Sequence, residues 1–216
     1  MKLRTTQQAL DAIDSELAWR RRELENLCRA VRDGRDSFSE SLARAAFTLV
    51  YAHWEGGVKN CATYYLDFVT RQRHSYEQLR TNFVAIACAN SIQQAAASGK
   101  LQQYAQVVDF LVFNQKERFQ RSKLFEFQTE SNLSSTVMDA ICFNVGICMG
   151  TSFEINRNFL DRSLLKTRNA IAHGAMEPVE LRFLLESRDK VLSLLGDFRT
   201  ELQNAIVEKR YLRSNE

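Results

Sequence analysis

Seven residues, Arg168-Asn169-Ala170-Ile171-Ala172-His173-Gly174, place a permanent cation, an amide and a titratable imidazole within one short stretch. Arginine grips a phosphate through a planar fork of donors, and neutral histidine moves protons near pH 7. These groups suit phosphodiester chemistry that needs no metal. Their spacing sets a geometric condition. At about 100° per residue, positions five apart on an ideal helix point roughly 140° away from each other. Arg168 and His173 therefore converge only if the helix unwinds between them, or if a second copy of the motif faces the first. Gly174 predicts a helix end at this place, because glycine is favoured just past a helix C-terminus.

The elements that must position this motif read as helices. A single proline, Pro178, and eight glycines in 216 residues leave few breaks for a many-stranded fold. The length accommodates a substantial core. Residues 5–31 carry a narrow heptad seam of Leu10, Ile13, Leu17, Leu24, Leu27 and Val31, interrupted by Arg20. That seam suits either a dimerisation or partner-binding arm or an ordinary long helix of a bundle. Gly34 marks a turn, which divides the chain into an N-terminal helical extension, 1–35, and a helical domain, 36–216. A second helix is predicted over Ser39–Gln72, with Gly56-Gly57 in its interior signalling a bend or the close approach of another backbone. On it Glu55 and Lys59 stand four apart and can pair, and His53 reads as a core or rim histidine. Further helices are predicted over 78–97, 101–113 and 135–148, capped by Ser134 or Ser135. Residues 114–130 read as an irregular connection whose Phe119, Phe125 and Phe127 either pack or stack on bases. The motif helix is predicted from Asn156 to His173, and Glu177-Pro178 opens a final helix reaching Val207.

Composition narrows the functional classes. A net charge of +3 is too modest to establish nucleic-acid binding by itself. Basic clusters at Arg20-Arg21-Arg22, Arg71–His74 and Lys116–Lys123 read as solvated helix faces unless the motif recruits them. Five cysteines without C-x-x-C pairing suggest reduced, mostly buried thiols in a cytoplasmic protein. No apolar run approaches the ~18 residues of a membrane span, so no membrane partner is expected. Three histidines and dispersed carboxylates form no metal-ligand pattern, and no phosphate-cradling glycine loop is present. No metal and no cofactor are expected.

The string Arg168–Gly174, His53-Trp54-Glu55-Gly56 within an apolar helical run, Ser131-Asn132-Leu133-Ser134-Ser135 before another helix, and the long final helix together resemble the HEPN superfamily. The likeness is to its branch of RiboL-PSP and MAE-type members from bacterial toxin and defence systems, and it covers roughly residues 36–208. It implies an all-α, up-down helical bundle with a long N-terminal helix. It also implies a metal-independent endoribonuclease acting as a homodimer, with RNA as substrate and the site where two motifs meet. Catalytically silent family members that only bind nucleic acid or protein form the alternative. The matching residues are Arg168, Asn169 and His173, and Glu55 matches an acidic position on an earlier helix. A toxin role would bring an antitoxin or nucleotidyltransferase partner.

Self-cleavage of RNA through its 2′-hydroxyl needs a base, an acid and a cation at phosphorus. One motif supplies one histidine and one arginine. Two motifs across a two-fold axis supply two of each, so His173 is the expected acid or base. Arg168 is then the phosphate ligand, and Asn169 orients the phosphate or the imidazole.

Overall fold

The computed structural model describes residues 3–33, 37–122, 124–129 and 132–213. The expected turn at Gly34, with the domain boundary beside it, lies outside these residues, as do Lys123 and Ser131. The fold is all-α. In order come α1 (Thr6–Asp33), α2 (Ser37–Arg71), a short 3-10 turn (Tyr76–Gln78), α3 (Thr81–Ser98) and α4 (Leu101–Phe113). Then come α5 (Ser135–Val145), α6 (Thr151–Asn158), a π-helical segment (Phe159–Leu165), α7 (Lys166–Ala172) and α8 (Leu181–Val207). Among the described residues, no helix is long and apolar enough to cross a membrane.

Three long helices make the frame. α2 carries buried residues over more than half of its circumference, with Tyr51, Trp54, Val58 and Tyr65 on a central stripe, Ala46 and His53 on one flank and Ala62 and Leu66 on the other, so it must be covered on several sides. α1 lies antiparallel to it, as Gln72 meeting Arg4, Asn60 meeting Glu16 and Ser39 meeting Val31 show. α8 runs parallel to α2, with Phe183 stacked on Phe47 and Leu195 against Gly57. The heptad seam of α1 is filled by α2 and α8 of the same chain, and Ile13, Leu24 and Val31 are buried there.

Arg20, which interrupts that seam, is buried rather than part of a solvated basic face. Its guanidinium donates to Glu16 Oε1 at 2.5 and 3.1 Å and approaches His53 Nδ1 at 3.1 Å. Asn60 donates to the same carboxylate at 2.6 Å. Burial alone would raise the Glu16 pKa, but the bonds from Arg20 and Asn60 outweigh it and hold the carboxyl below its usual range. The Gly56-Gly57 pair answers this arrangement. A Cβ on Gly56 would lie 3.0 Å from the Arg20 guanidinium nitrogens, and one on Gly57 would lie 2.8 Å from Leu195 Cδ2. Side chains, not another backbone, make the close approach.

Several sequence expectations need correction. The motif helix begins at Thr151, five residues earlier than expected, because Gly150 at its N-cap lets the first turn close on Phe153, which is buried. The final helix begins at Leu181, since residues 177–180 are not helical and Glu180 serves as its N-cap. α5 stops at Val145, where Gly146 takes a left-handed conformation with φ 73°. Ser134 caps its start by accepting from the Val137 N–H. Phe119 and Phe127 pack in the core and are unavailable to stack on bases. Burial of four of the five free cysteines agrees with expectation.

Candidate functional site

The motif is built on one nearly continuous helix whose middle is widened. Residues 159–165 form the π-helical segment, and Phe159, Leu160 and Leu164 are buried on its inner side. Asp161 on this segment accepts from the Ser135 N–H at 2.7 Å and the Ser135 hydroxyl at 2.6 Å, fastening the start of α5 to it. A π turn takes in an extra residue and so re-phases the succeeding helical turns by about 100° relative to an unbroken α-helix. The motif lies immediately downstream.

Arg168 points inward. Its guanidinium carbon lies 4.3 Å from the ring centroid of Tyr51 on α2, a cation–π contact. Its Nη1 donates to Asn169 Oδ1 at 2.7 Å and reaches Asn132 Oδ1 at 3.5 Å. Asn169 Nδ2 donates to the same Asn132 oxygen at 3.1 Å. Asn132 thus bridges the two motif residues.

Residues 127–129 and 132–133, the last two including Asn132, form a strap held against α2. The Tyr51 hydroxyl accepts from the Leu133 N–H at 2.5 Å, and Trp54 Nε1 donates to the Leu133 carbonyl at 3.3 Å. The Thr129 hydroxyl donates to Glu55 Oε1. Phe127 and Leu133 sink into the core on either side. Burial pushes the Tyr51 pKa up to about 12, with the nearby Glu55 carboxylate adding to it while the Leu133 bond and the Arg168 charge oppose. Tyr51 therefore remains a neutral platform with Arg168 on its face and Glu55 at its hydroxyl.

His173 stands apart. It occupies the C-cap of α7, its N–H bonded to the Asn169 carbonyl at 3.0 Å, and its side chain is exposed. Gly174, at φ 86°, and the Ala175 N–H bond to the Ala170 carbonyl complete a left-handed C-terminal closure. The helix does not unwind between Arg168 and His173. The two side chains keep their roughly 140° divergence, one against Tyr51 and one toward solvent.

The chain belongs to the HEPN family. The model of the MAE_28990-like HEPN family matches residues 9–211, which takes in nearly the whole chain from α1 to Tyr211. No curated protein and no solved structure matches it.

Within this HEPN protein the other sequence candidates fall in distinct places. Glu55 does not pair with Lys59, which lies 3.7 Å from Glu126 instead. The Glu55 carboxylate accepts from Thr129 and lies beside Tyr51, the residue on whose face Arg168 rests. His53, two residues away, turns to the opposite side of α2 and faces α1. Its Nε2 is 2.6 Å from Glu23 Oε2, though off the hydrogen-bonding direction, and its ring stands edge-on to Trp19. Burial first, then the Arg20 charge, lowers its pKa below the ordinary histidine value. His53 is a core histidine and no part of the motif cluster. Among the described residues, no three His, Cys, Asp or Glu side chains gather as a metal site. A cleft of about 1030 Å³ between α3, α5 and α6 has none of Arg168, Asn169, His173 or Glu55 in its walls.

Reading the sequence by motif alone overlooks Tyr51, Thr129 and any role for Asn132. Tyr51 had a faint signal, since it precedes Glu55 by four residues and so shares its helix face. Nothing in the local sequence pattern announces that Thr129 and Leu133 bond to α2.

Proposed function

We propose that this HEPN protein is a metal-independent endoribonuclease whose site is assembled from two chains. The observation that supports this most is the divergence of Arg168 and His173 on an intact helix. Arg168 is held by Tyr51, Asn169 and Asn132, while the motif imidazole is exposed at the C-cap of α7, roughly 140° around by ideal helical spacing. A second motif related by a two-fold axis supplies the missing partner, and two-fold dimers are the commonest protein assembly.

In this scheme one His173 takes the proton from the ribose 2′-hydroxyl, whose oxygen attacks phosphorus. The P–O5′ bond breaks, and the second His173 protonates the departing oxygen. The Arg168 pair carries the growing negative charge on the phosphoryl oxygens through charge-assisted hydrogen bonds. Asn169 orients that assembly, and Glu55 acts as a positioning residue through Thr129 and Tyr51. The products are a 2′,3′-cyclic phosphate and a 5′-hydroxyl. Likeness to the MAE-type branch supports a toxin or antiphage effector, restrained by an antitoxin or nucleotidyltransferase.

The test uses purified protein and single-stranded RNA in EDTA. Cleavage with those product ends is expected for RNA but not for the same sequence as DNA, which lacks the 2′-hydroxyl. His173→Ala should abolish it without changing the helical signal. When His173→Ala chains are mixed with wild type under subunit exchange, activity should fall with roughly the square of the wild-type fraction, the statistics of a symmetric pair. A linear fall, or cleavage that disappears in chelator and returns with magnesium, overturns the scheme.

A further inference from the structure

Arg162, Lys166, Asn169 and His173 succeed one another at intervals of four, three and four residues. Lys166, Asn169 and His173 follow α-helical spacing along one side of α7 and its C-cap, with Asn169 at the edge nearest Arg168, and Arg162 stands about one turn before Lys166 on the π-helical segment. Arg162, Lys166 and His173 are exposed, and among the described residues neither Arg162 nor Lys166 has an ion pair. Arg162 and Lys166 are therefore cations without an ion pair leading toward the motif histidine, whereas Asn169 is already bonded to Arg168 and Asn132.

At its far end a cleft of about 390 Å³ opens between the π-helical segment and α8. Arg162, Ser163 and Asn158 form one wall, and Ser187, Lys190 and Glu186 belong to the other. Glu186 is the one carboxylate among these lining residues, and Arg182 already binds it at 2.8 Å. Lys190 keeps its ammonium 4.6 Å from the Phe159 ring centroid, which orients it without neutralising it. Ser187 is 0% exposed, yet its hydroxyl has no hydrogen-bond partner among the described residues. A buried hydroxyl without a partner is costly, so such groups are rare unless something else satisfies them. Two uncompensated cations beside unused neutral donors form a setting for a phosphate oxyanion.

We infer that this cleft is a remote subsite for a backbone phosphate of the RNA strand, which runs along Lys166 to the scissile position at His173. The inference rests on the ribonuclease reading above for its substrate. Eleven residues separate Arg162 from His173, roughly 16 Å along the helix at 1.5 Å per residue. A stacked strand advances about 3.4 Å per nucleotide, so the subsite meets a phosphate about five nucleotides from the cut.

The test is equilibrium binding by fluorescence anisotropy, with 2′-O-methyl RNA oligonucleotides of 2 to 12 nucleotides that cannot be cleaved. For wild-type protein, affinity should step up as length passes about five nucleotides. Arg162→Ala/Lys190→Ala should lose that step and bind the 12-mer roughly tenfold more weakly. The log–log salt slope should also become shallower by about 1.4, the value for two lost phosphate contacts on a single strand. A step retained in the double variant, or absent from wild type, overturns the inference. So does inorganic phosphate binding the cleft while affinity stays independent of oligonucleotide length, which would mark a small-anion site. The two readings fail separately. Uncut natural RNA with the length step intact sinks only the ribonuclease scheme, whereas cleavage without the step sinks only the subsite.

Discussion

Tyr51→Phe isolates the hydroxyl that ties α2 to the strap beneath the motif. The substitution keeps the ring, and so the face on which the Arg168 guanidinium rests 4.3 Å from the centroid. What disappears is one oxygen, 2.5 Å from the Leu133 nitrogen and facing Glu55. Tyr51 is 1% exposed and Leu133 0%, so no water replaces the lost acceptor. A buried N–H left without a partner costs about 1–3 kcal/mol. For 216 residues, an unfolding entropy of about 2.1 cal/mol/K per residue makes a 2 kcal/mol loss equal to a fall in melting temperature of about 4 °C. The same loss loosens Leu133 and with it the adjacent Asn132, which bridges Arg168 and Asn169. If about 1.4 kcal/mol of it falls on closing the strap over the motif, RNA cleavage drops about tenfold. Thermal melts monitored by circular dichroism measure the first effect, and hydrogen exchange at the Leu133 amide measures the second. A variant that melts within about 1 °C of wild type and keeps the Leu133 amide protected refutes the argument that this hydroxyl anchors the strap. Tyr51→Leu removes the ring as well and should cost cleavage further, since a cation–π contact contributes about 0.5–2 kcal/mol.

Two other perturbations test the frame. Gly57→Ala should destabilise by about 1–2 kcal/mol in chemical denaturation, because overpacking against Leu195 exceeds the gain in helix propensity. Gly196→Ala, which meets open space, should instead stabilise by up to ~1 kcal/mol, and equal effects at the two sites would refute the packing account. The lowered pKa of His53 means that the unfolded chain binds its proton first on acidification. Stability should therefore be full above the ordinary histidine value of 6.5 and decline as pH falls from there toward the folded-state pKa. In His53→Asn that stretch of the denaturation midpoint against pH should flatten, and an unchanged profile would assign the slope to other groups.

The all-α class, most helix boundaries and the motif itself were legible in the sequence because each depends on local order. Helical periodicity, a scarcity of breakers and Gly174 after His173 act within one or two turns, and the helix ends where glycine permits a left-handed residue. The 140° divergence of Arg168 and His173 is a consequence of helical geometry alone, given that the helix stays intact. Other features depended on partners distant in sequence. Arg20 reads as one of three surface arginines, but Glu16 and Asn60 supply acceptor and support, and the absent side chain of Gly56 leaves room for the guanidinium. Glu55 looks ready for Lys59 one turn on, yet a tertiary contact with Thr129 takes it. Only the fold brings Leu133 back over Tyr51 and Trp54, some 80 residues earlier, and so places Asn132 between Arg168 and Asn169. Local periodicity determines which face a residue occupies on its own helix. What lies opposite that face is decided by chain segments packed there from elsewhere, because close packing and buried hydrogen bonds are satisfied by proximity in space rather than in sequence.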